Sequence, residues 1–293
     1  MRLIDKLNGL GVALVTPFKI NGDIDFESLQ KLALQLIHNG VDYLVLLGTT
    51  AETPTLCSEE RDQIVRAVVS VVNGKVPIVV GVGGPSTKEV VHKLEHTDWT
   101  GVDAILSVTP FYNRPSQEGL YQHFKMIAEH SPLPVILYTV MSRTSCNLEP
   151  ETTLRLAKLN NIIGVKEASG NFNQIMKIIK HKPADFLVIS GDDAITLPLL
   201  AVGINGLISV VGNAFPYEMS QIVHQAQNGD FITARKFHEQ MLDIMQACFK
   251  EGSPSGVKAF LALQNKIEHY LRLPLTPVSD TLLEQITLLN NKN

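Results

Sequence analysis

Lys166 ends the apolar run Ile162-Ile163-Gly164-Val165 and is followed by Glu167, Ala168, Ser169 and Gly170. An ammonium at the inner end of a buried strand is expensive to desolvate, which favours the neutral amine, and a neutral amine can form a Schiff base with a carbonyl substrate. The plainer alternative is a strand-end lysine that reaches solvent or pairs with the adjacent Glu167. Tyr138 ends an apolar run in the same way. On neighbouring strands it brings a phenol beside the amine, and carbinolamine formation and dehydration need such a proton donor and acceptor.

Further candidates lie in other short stretches. Gly48-Thr49-Thr50-Ala51-Glu52-Thr53 offers two adjacent hydroxyls and the following backbone amides, a compact seat for a carboxylate, although an ordinary hydroxyl-capped turn uses the same residues. Tyr112 sits in Thr109-Pro110-Phe111-Tyr112-Asn113-Arg114-Pro115, a proline-bounded loop suited either to positioning a phenol or to packing an aromatic ring. Arg143, just beyond Tyr138, can grip a carboxylate with two parallel N–H donors or make a surface salt bridge. In Ser190-Gly191-Asp192-Asp193 no metal-ligand pattern accompanies the carboxylates; one of them is expected to cap a helix beginning near Ala194, while Gly191 lets the backbone approach a ligand. His92 and His96 have the i, i+4 spacing of a zinc pair but lack the H-E-x-x-H glutamate and a third ligand, so they read as a solvated face.

Eight β-branched runs carry these residues, at 11–18, 41–50, 76–83, 102–113, 134–140, 162–169, 185–193 and 204–213. Several are almost continuously apolar, as parallel strands covered on both faces are. Helical stretches with recognisable starts alternate with them: Asp25 opens a run to His38, Ser58 one to Val72, Ser86 carries Glu89 three residues on, and Ser116 begins a run to Glu129. Later helices follow Pro150, Asn171, Asp193 and Pro216. Eight β/α units in this span predict a (β/α)8 TIM barrel, an α/β fold whose chemistry gathers at the C-terminal strand ends. A doubly wound sheet is weakened because Thr16 to Asp23, after the first strand, contain no G-x-G-x-x-G. Beyond Asn228-Gly229 three helical stretches are expected at 231–250, 254–271 and 280–289. The predicted organisation is a catalytic barrel over 1–228 and a helical C-terminal subdomain over 229–293, packed on it.

The chain has 293 residues, 45% hydrophobic and 18% charged, with a formal charge of -4. No basic surplus points to nucleic acid or to an anionic membrane. Cys57, Cys146 and Cys248 are too few and too scattered for a disulfide framework and fit a reducing, cytoplasmic compartment. No secretory peptide is read at the N-terminus. The longest apolar tract, 194–215, is broken by Thr196, Pro198, Gly203, Asn205, Gly206 and Gly212, and reads as a helix then a buried strand rather than a membrane span.

Taken together, Gly48-Thr49-Thr50-x-Glu52, the Thr109 to Pro115 loop, Tyr138 with Ser142-Arg143-Thr144, Val165-Lys166-Glu167-Ala168 and Gly191-Asp192-Asp193 resemble the dihydrodipicolinate synthase family of lysine-dependent pyruvate lyases. The resemblance implies that Lys166 forms a Schiff base with pyruvate and that Thr49 and Thr50 hold its carboxylate. It further implies a proton relay of Tyr138, Thr49 and Tyr112, the last reaching a neighbouring subunit's site across a tight dimer. Arg143 is implied to bind the carboxylate of L-aspartate 4-semialdehyde, Gly191 to help place its amino end, and Ile208 to line the substrate site. The same resemblance implies a lyase of lysine and diaminopimelate biosynthesis, without metal or organic cofactor, in a dimer of dimers. Sugar-acid aldolases share the lysine and the tyrosine and form the competing reading, and a barrel that only binds is a third. Departures from the family pattern are Ala51, Thr139, Met141 and Ser145. Where lysine-inhibited members carry histidine, asparagine and tyrosine, this chain has Ser58 or Arg61, Pro85 and Phe111, with Glu89 alone retained, so weak or absent inhibition by lysine is expected.

Overall fold

In a computed structural model, which describes residues 2–292, eight parallel strands close into a barrel in sequence order. They are β1 (Leu10–Ala13), β2 (Tyr43–Leu46), β3 (Ile78–Gly81), β4 (Ala104–Val108), β5 (Val135–Thr139), β6 (Ile162–Glu167), β7 (Leu187–Ser190) and β8 (Gly206–Ser209). Closure pairs β1 with β8 through Gly11 and Ile208. The helices are α1 (Leu3–Lys6), α2 (Phe26–His38), α3 (Ser58–Val72), α4 (Thr87–His96), α5 (Gln117–His130), α6 (Met141–Thr144), α7 (Pro150–Leu156), α8 (Phe172–His181), α9 (Thr196–Ala201), α10 (Pro216–Gln227), α11 (Phe231–Phe249), α12 (Ser255–Leu263) and α13 (Asp280–Asn290).

Each expected strand is present but shorter, chiefly at its C-terminal end. The apolar run continues into buried loop: Leu14, Val15 and Phe18 are at most 2% exposed although the first strand ends at Ala13. Burial supplied the pattern there, and the turns that follow the strands took the residues out of the ladder. After β2, for example, Leu47 adopts φ 51 and Thr49–Ala51 form a 3-10 turn.

Strand alternation divides the core in two. Ala13, Tyr43, Val45, Val79, Leu106, Ile136, Tyr138, Ile189 and Ile208 point into the barrel, while Val12, Leu44, Val80, Ile105, Leu137, Val165 and Leu207 pack against the helices. The interior is filled solid toward the N-terminal end: a Cβ on Gly11 would come within 2.2 Å of the Tyr43 ring.

Local capping sets the helix starts. Asp25, Ser86, Ser116 and Asn171 each accept a backbone N–H three residues on. Two expectations are corrected. Helix α9 begins at Thr196 with no side-chain cap, because Asp193 is engaged elsewhere. The stretch expected at 254–271 ends as helix at Leu263; Asn265 takes φ 56, and the chain beyond it is drawn onto the barrel by Arg272, whose guanidinium donates to the Gly22 carbonyl and to Glu60. Among the described residues no helix is long and apolar enough to cross a membrane.

Candidate active site

Register decides which side chains meet. Tyr138 on β5 lies directly opposite Lys166 on β6, and both point into the barrel. Lys166 Nζ stands 4.5 Å from the centroid of the Tyr138 ring. The residues are 5% and 7% exposed, and among the described residues Nζ has no hydrogen-bond or carboxylate partner. Glu167, next in sequence, is on the opposite face of the strand. It accepts from Gln174 Nε2 at 2.5 Å and from the Ser169 N–H at 2.8 Å, and burial raises its carboxyl above the ordinary range. The adjacent carboxylate therefore does not neutralise the lysine.

Gly191 follows β7 and floors the lysine. A Cβ there would lie 2.9 Å from Lys166 Cε and 2.7 Å from Ala168 Cβ, so the backbone approaches the aliphatic stem as only glycine allows. Ile208, on β8, is fully buried among the residues that fill the barrel.

Of the two carboxylates at 192 and 193, one of which is expected to cap a helix, Asp193 caps none. Instead it is fully buried, takes a short hydrogen bond from Ser209 Oγ and accepts the Val210 N–H at 3.1 Å, tying the β7 and β8 ends together. Burial pushes its carboxyl up to about 6, against the Ser209 and Val210 bonds and the nearby charge of Lys166. Asp192 accepts the Ala194 N–H at 3.0 Å.

The Thr49–Ala51 turn follows β2, which stands across the barrel from β6, so the turn and Lys166 occupy opposite walls of one mouth. Thr50 is 3% exposed. The turn is bracketed by two non-glycine residues in left-handed conformation, Leu47 at φ 51 and Glu52 at φ 55. Such backbone costs about 1–3 kcal/mol per residue and persists only where its surroundings hold it. Ala51, where the family carries glycine, is not among the positive-φ residues; the unusual backbone falls on its neighbour Glu52. Thr16 Oγ1 donates to the Ala51 carbonyl at 2.8 Å, and Thr53 Oγ1 to that of Gly48 at 2.9 Å.

The remaining predicted residues lie farther out. Arg143, on α6, is exposed and donates to the Ser253 carbonyl at 3.4 Å. Tyr112 is 95% exposed with φ 73; the single chain does not bring it to Lys166. Thr139 faces outward from the barrel, accepting the Leu148 N–H at 3.1 Å, so its departure from the family pattern does not alter the pocket wall. Met141 stands 54% exposed, and Ser145 takes φ 54, where glycine would carry no strain. The His92 and His96 rings lie with centroids 4.0 Å apart, tilted by 37°, and His96 Nδ1 bonds the His92 carbonyl. Among the described residues no group of three His, Cys, Asp or Glu side chains could hold a metal.

One cluster escaped the sequence reading. Lys258, on α12, is fully buried; its Nζ donates to Glu52 Oε1 at 2.5 Å and to the Tyr270 carbonyl at 3.0 Å. Glu52 Oε2 accepts the Arg272 backbone N–H at 3.0 Å, and the Arg272 guanidinium pairs with Glu60. Lys258 and Arg272 both stand over the Phe18 ring, at 4.4 and 4.6 Å. The only signal was a lone cation in the apolar run Val257-Lys258-Ala259-Phe260.

The arrangement offers an amine beside a phenol, closed off by apolar side chains on the inward side and bounded across the mouth by a turn of hydroxyls. It can capture a carbonyl compound as an imine and move protons at the captured carbon. Comparison with known proteins bears on which compound. The profile of the Dihydrodipicolinate synthetase family matches residues 6–290. A 4-hydroxy-tetrahydrodipicolinate synthase from Parabacteroides distasonis is 52% identical over 282 residues, covering 96% of this chain and 95% of the relative. One of the same name from Phocaeicola vulgatus is 50% identical and covers 98% and 97%. The solved structure of dihydrodipicolinate synthase from Thermotoga maritima superposes with a TM-score of 0.95 at 40% identity, covering 97% of this chain and 98% of that one.

Proposed function

The chain belongs to the dihydrodipicolinate synthetase family, and from that premise we propose that it is a 4-hydroxy-tetrahydrodipicolinate synthase, a lyase that joins pyruvate to L-aspartate 4-semialdehyde. Lys166 is the nucleophile. Its amine adds to the pyruvate ketone, the carbinolamine loses water to give the imine, and loss of a methyl proton gives the enamine. That carbon attacks the aldehyde of the second substrate. The amino group of the second substrate then adds to the imine carbon, closing the ring and releasing Lys166. Tyr138 passes protons during imine formation and release, in relay with Thr49 and with Tyr112 supplied by a neighbouring subunit. Thr49 and Thr50 hold the keto-acid carboxylate, Arg143 the carboxylate of the aldehyde, and Gly191 and Ile208 shape the cavity between.

The observation that carries this reading is the lysine itself: buried, opposite Tyr138, and without a carboxylate partner among the described residues. A lysine kept only for structure would be paired, since an unpaired buried charge is costly. Around this chemistry we place a catalytic barrel over 1–228, a helical subdomain over 229–293, a cytoplasmic setting for the three free cysteines, and a dimer of dimers.

The test is to add pyruvate and borohydride, weigh the intact protein and map the adduct. The expected result is one reduced pyruvate on Lys166; no adduct overturns the proposal. Turnover with L-aspartate 4-semialdehyde well above that with sugar aldehydes separates the synthase from an aldolase. The Arg143→Ala variant is expected to keep trapping while its KM for the semialdehyde rises about tenfold or more, as loss of a bidentate carboxylate contact entails. A structure of the relative from Cyanidioschyzon merolae has lysine bound. With Ser58 or Arg61, Pro85 and Phe111 in place of histidine, asparagine and tyrosine, this chain is expected to show little inhibition in a lysine titration, and tight inhibition would remove that part of the proposal.

A further inference from the structure

The Thr49–Ala51 turn is closed by local bonds, from the Ala51 N–H to the Gly48 carbonyl and from the Glu52 N–H to that of Thr49, but these do not account for the backbone on either side of it. Leu47 and Glu52, on either side of it, both have positive φ, and neither is glycine. What fixes the outer side is remote. Glu52 is 1% exposed and both its carboxylate oxygens are engaged from the C-terminal region, Oε1 by Lys258 Nζ and Oε2 by the Arg272 N–H. The Glu52 carbonyl in turn accepts the N–H and the hydroxyl of Thr55, each at 2.9 Å, so the side chain and the backbone of Glu52 are clamped together. Lys258 has no freedom of its own. Its ammonium is bonded to the Tyr270 carbonyl as well as to Glu52, and it lies over Phe18, which Arg272 also covers. Thr16, two residues before Phe18, donates to the Ala51 carbonyl and so reaches the turn from the other side.

A buried pair of this kind is weak as a source of stability, since desolvation consumes most of the attraction, but it fixes geometry. We propose that Lys258 is a positioning residue: through Glu52 it sets the backbone of the Thr49–Thr50 turn, and thereby the seat of the keto-acid carboxylate. The last helical region of the chain thus completes the substrate site without touching substrate. This inference rests on the reading of Thr49 and Thr50 as the carboxylate seat.

The experiment measures pyruvate capture alone, by borohydride trapping over a range of pyruvate concentrations, for the unmodified protein, Lys258→Met and the double variant Lys258→Met/Glu52→Gln. The half-saturating pyruvate concentration is expected to rise about tenfold or more in both variants, with the trapped fraction at saturation little changed, because displaced binding groups cost rate and affinity without removing the nucleophile. The double variant leaves no lone charge in the seam and carries the measurement if the single variant fails to fold. A purely structural role predicts the reverse, a lower trapped fraction at an unchanged half-saturating concentration, and that result in the double variant overturns the proposal. Failure of the unmodified protein to trap pyruvate would instead sink the functional reading on which it rests.

Discussion

Lys166 and Lys258 are both buried, at 5% and 0% exposed, yet they occupy opposite circumstances. Lys258 lies in the seam between barrel and C-terminal helices, gripped by Glu52 and a carbonyl; burial draws its ammonium down to about 8 while Glu52 pulls the other way. Lys166 lies inside the barrel mouth, where its ammonium faces a phenol ring and the neighbouring carboxylates are turned to other work. The carboxylate of Glu167 is bound by Gln174, and that of Asp193 by Ser209 and Val210. The difference teaches what burial alone does not: a dry lysine with a partner is a clamp, and a dry lysine from which every partner has been diverted is a reagent.

The comparison can be broken in four ways, taken from the largest effect down. Lys166→Ala is expected to abolish the borohydride adduct and lower turnover by about 10³-fold or more, as removal of a covalent nucleophile does, while its urea midpoint stays near that of the unmodified protein. Lys258→Met should behave inversely: stability falls by about 3–5 kcal/mol, the cost of leaving one member of a buried pair alone, with the adduct still formed at saturating pyruvate. If Lys258→Met were neutral in denaturation, the clamp half of the contrast would be lost.

Gly191→Ala tests how closely the reagent lysine is fitted. The added methyl meets the Lys166 stem and Ala168. Trapping is expected to slow by about tenfold, the scale of a sub-ångström displacement at a reacting group, and an unchanged rate would mean that the lysine has room to spare. The remaining effect, on stability and not on trapping, concerns Glu60, which anchors the clamp side through Arg272. That guanidinium holds the Glu60 carboxyl down to about 2. Its folded-state value is below the ordinary 4.5 of the unfolded chain, so the stabilisation is present above about pH 4.5 and drains as pH falls toward 2. About 1 kcal/mol should be lost over that window after allowance for partial exposure. Denaturation of Arg272→Met across the same pH range should lack that part of the slope.

Much of the fold was legible in the chain. Eight β-branched runs alternating with capped amphipathic stretches specify a barrel because short continuous apolar runs and the Asp25, Ser86, Ser116 and Asn171 caps are local physics, set within a few residues. Strand ends were less so, since buried loop residues such as Leu14 and Val15 are as apolar as ladder residues. In the site, Lys166 and Tyr138 could be placed at the ends of neighbouring strands, whereas the tie that Asp193 makes to the next strand and the pairing of Lys258 could not. Both depend on a partner distant in sequence: Ser209 for the first and Glu52, 206 residues away, for the second.

The amino-acid order by itself determined the barrel, the helices around it, and which residue types stand at the strand ends, because each rests on periodicity and on hydrogen bonds made a few residues apart. Only the closed tertiary structure decided that Tyr138 faces Lys166, that Glu167 does not, and that a helix from the end of the chain grips the turn after the second strand. Those outcomes depend on strand register and on which buried charge reaches which partner, and electrostatic pairing across two hundred residues leaves no periodic trace in a sequence.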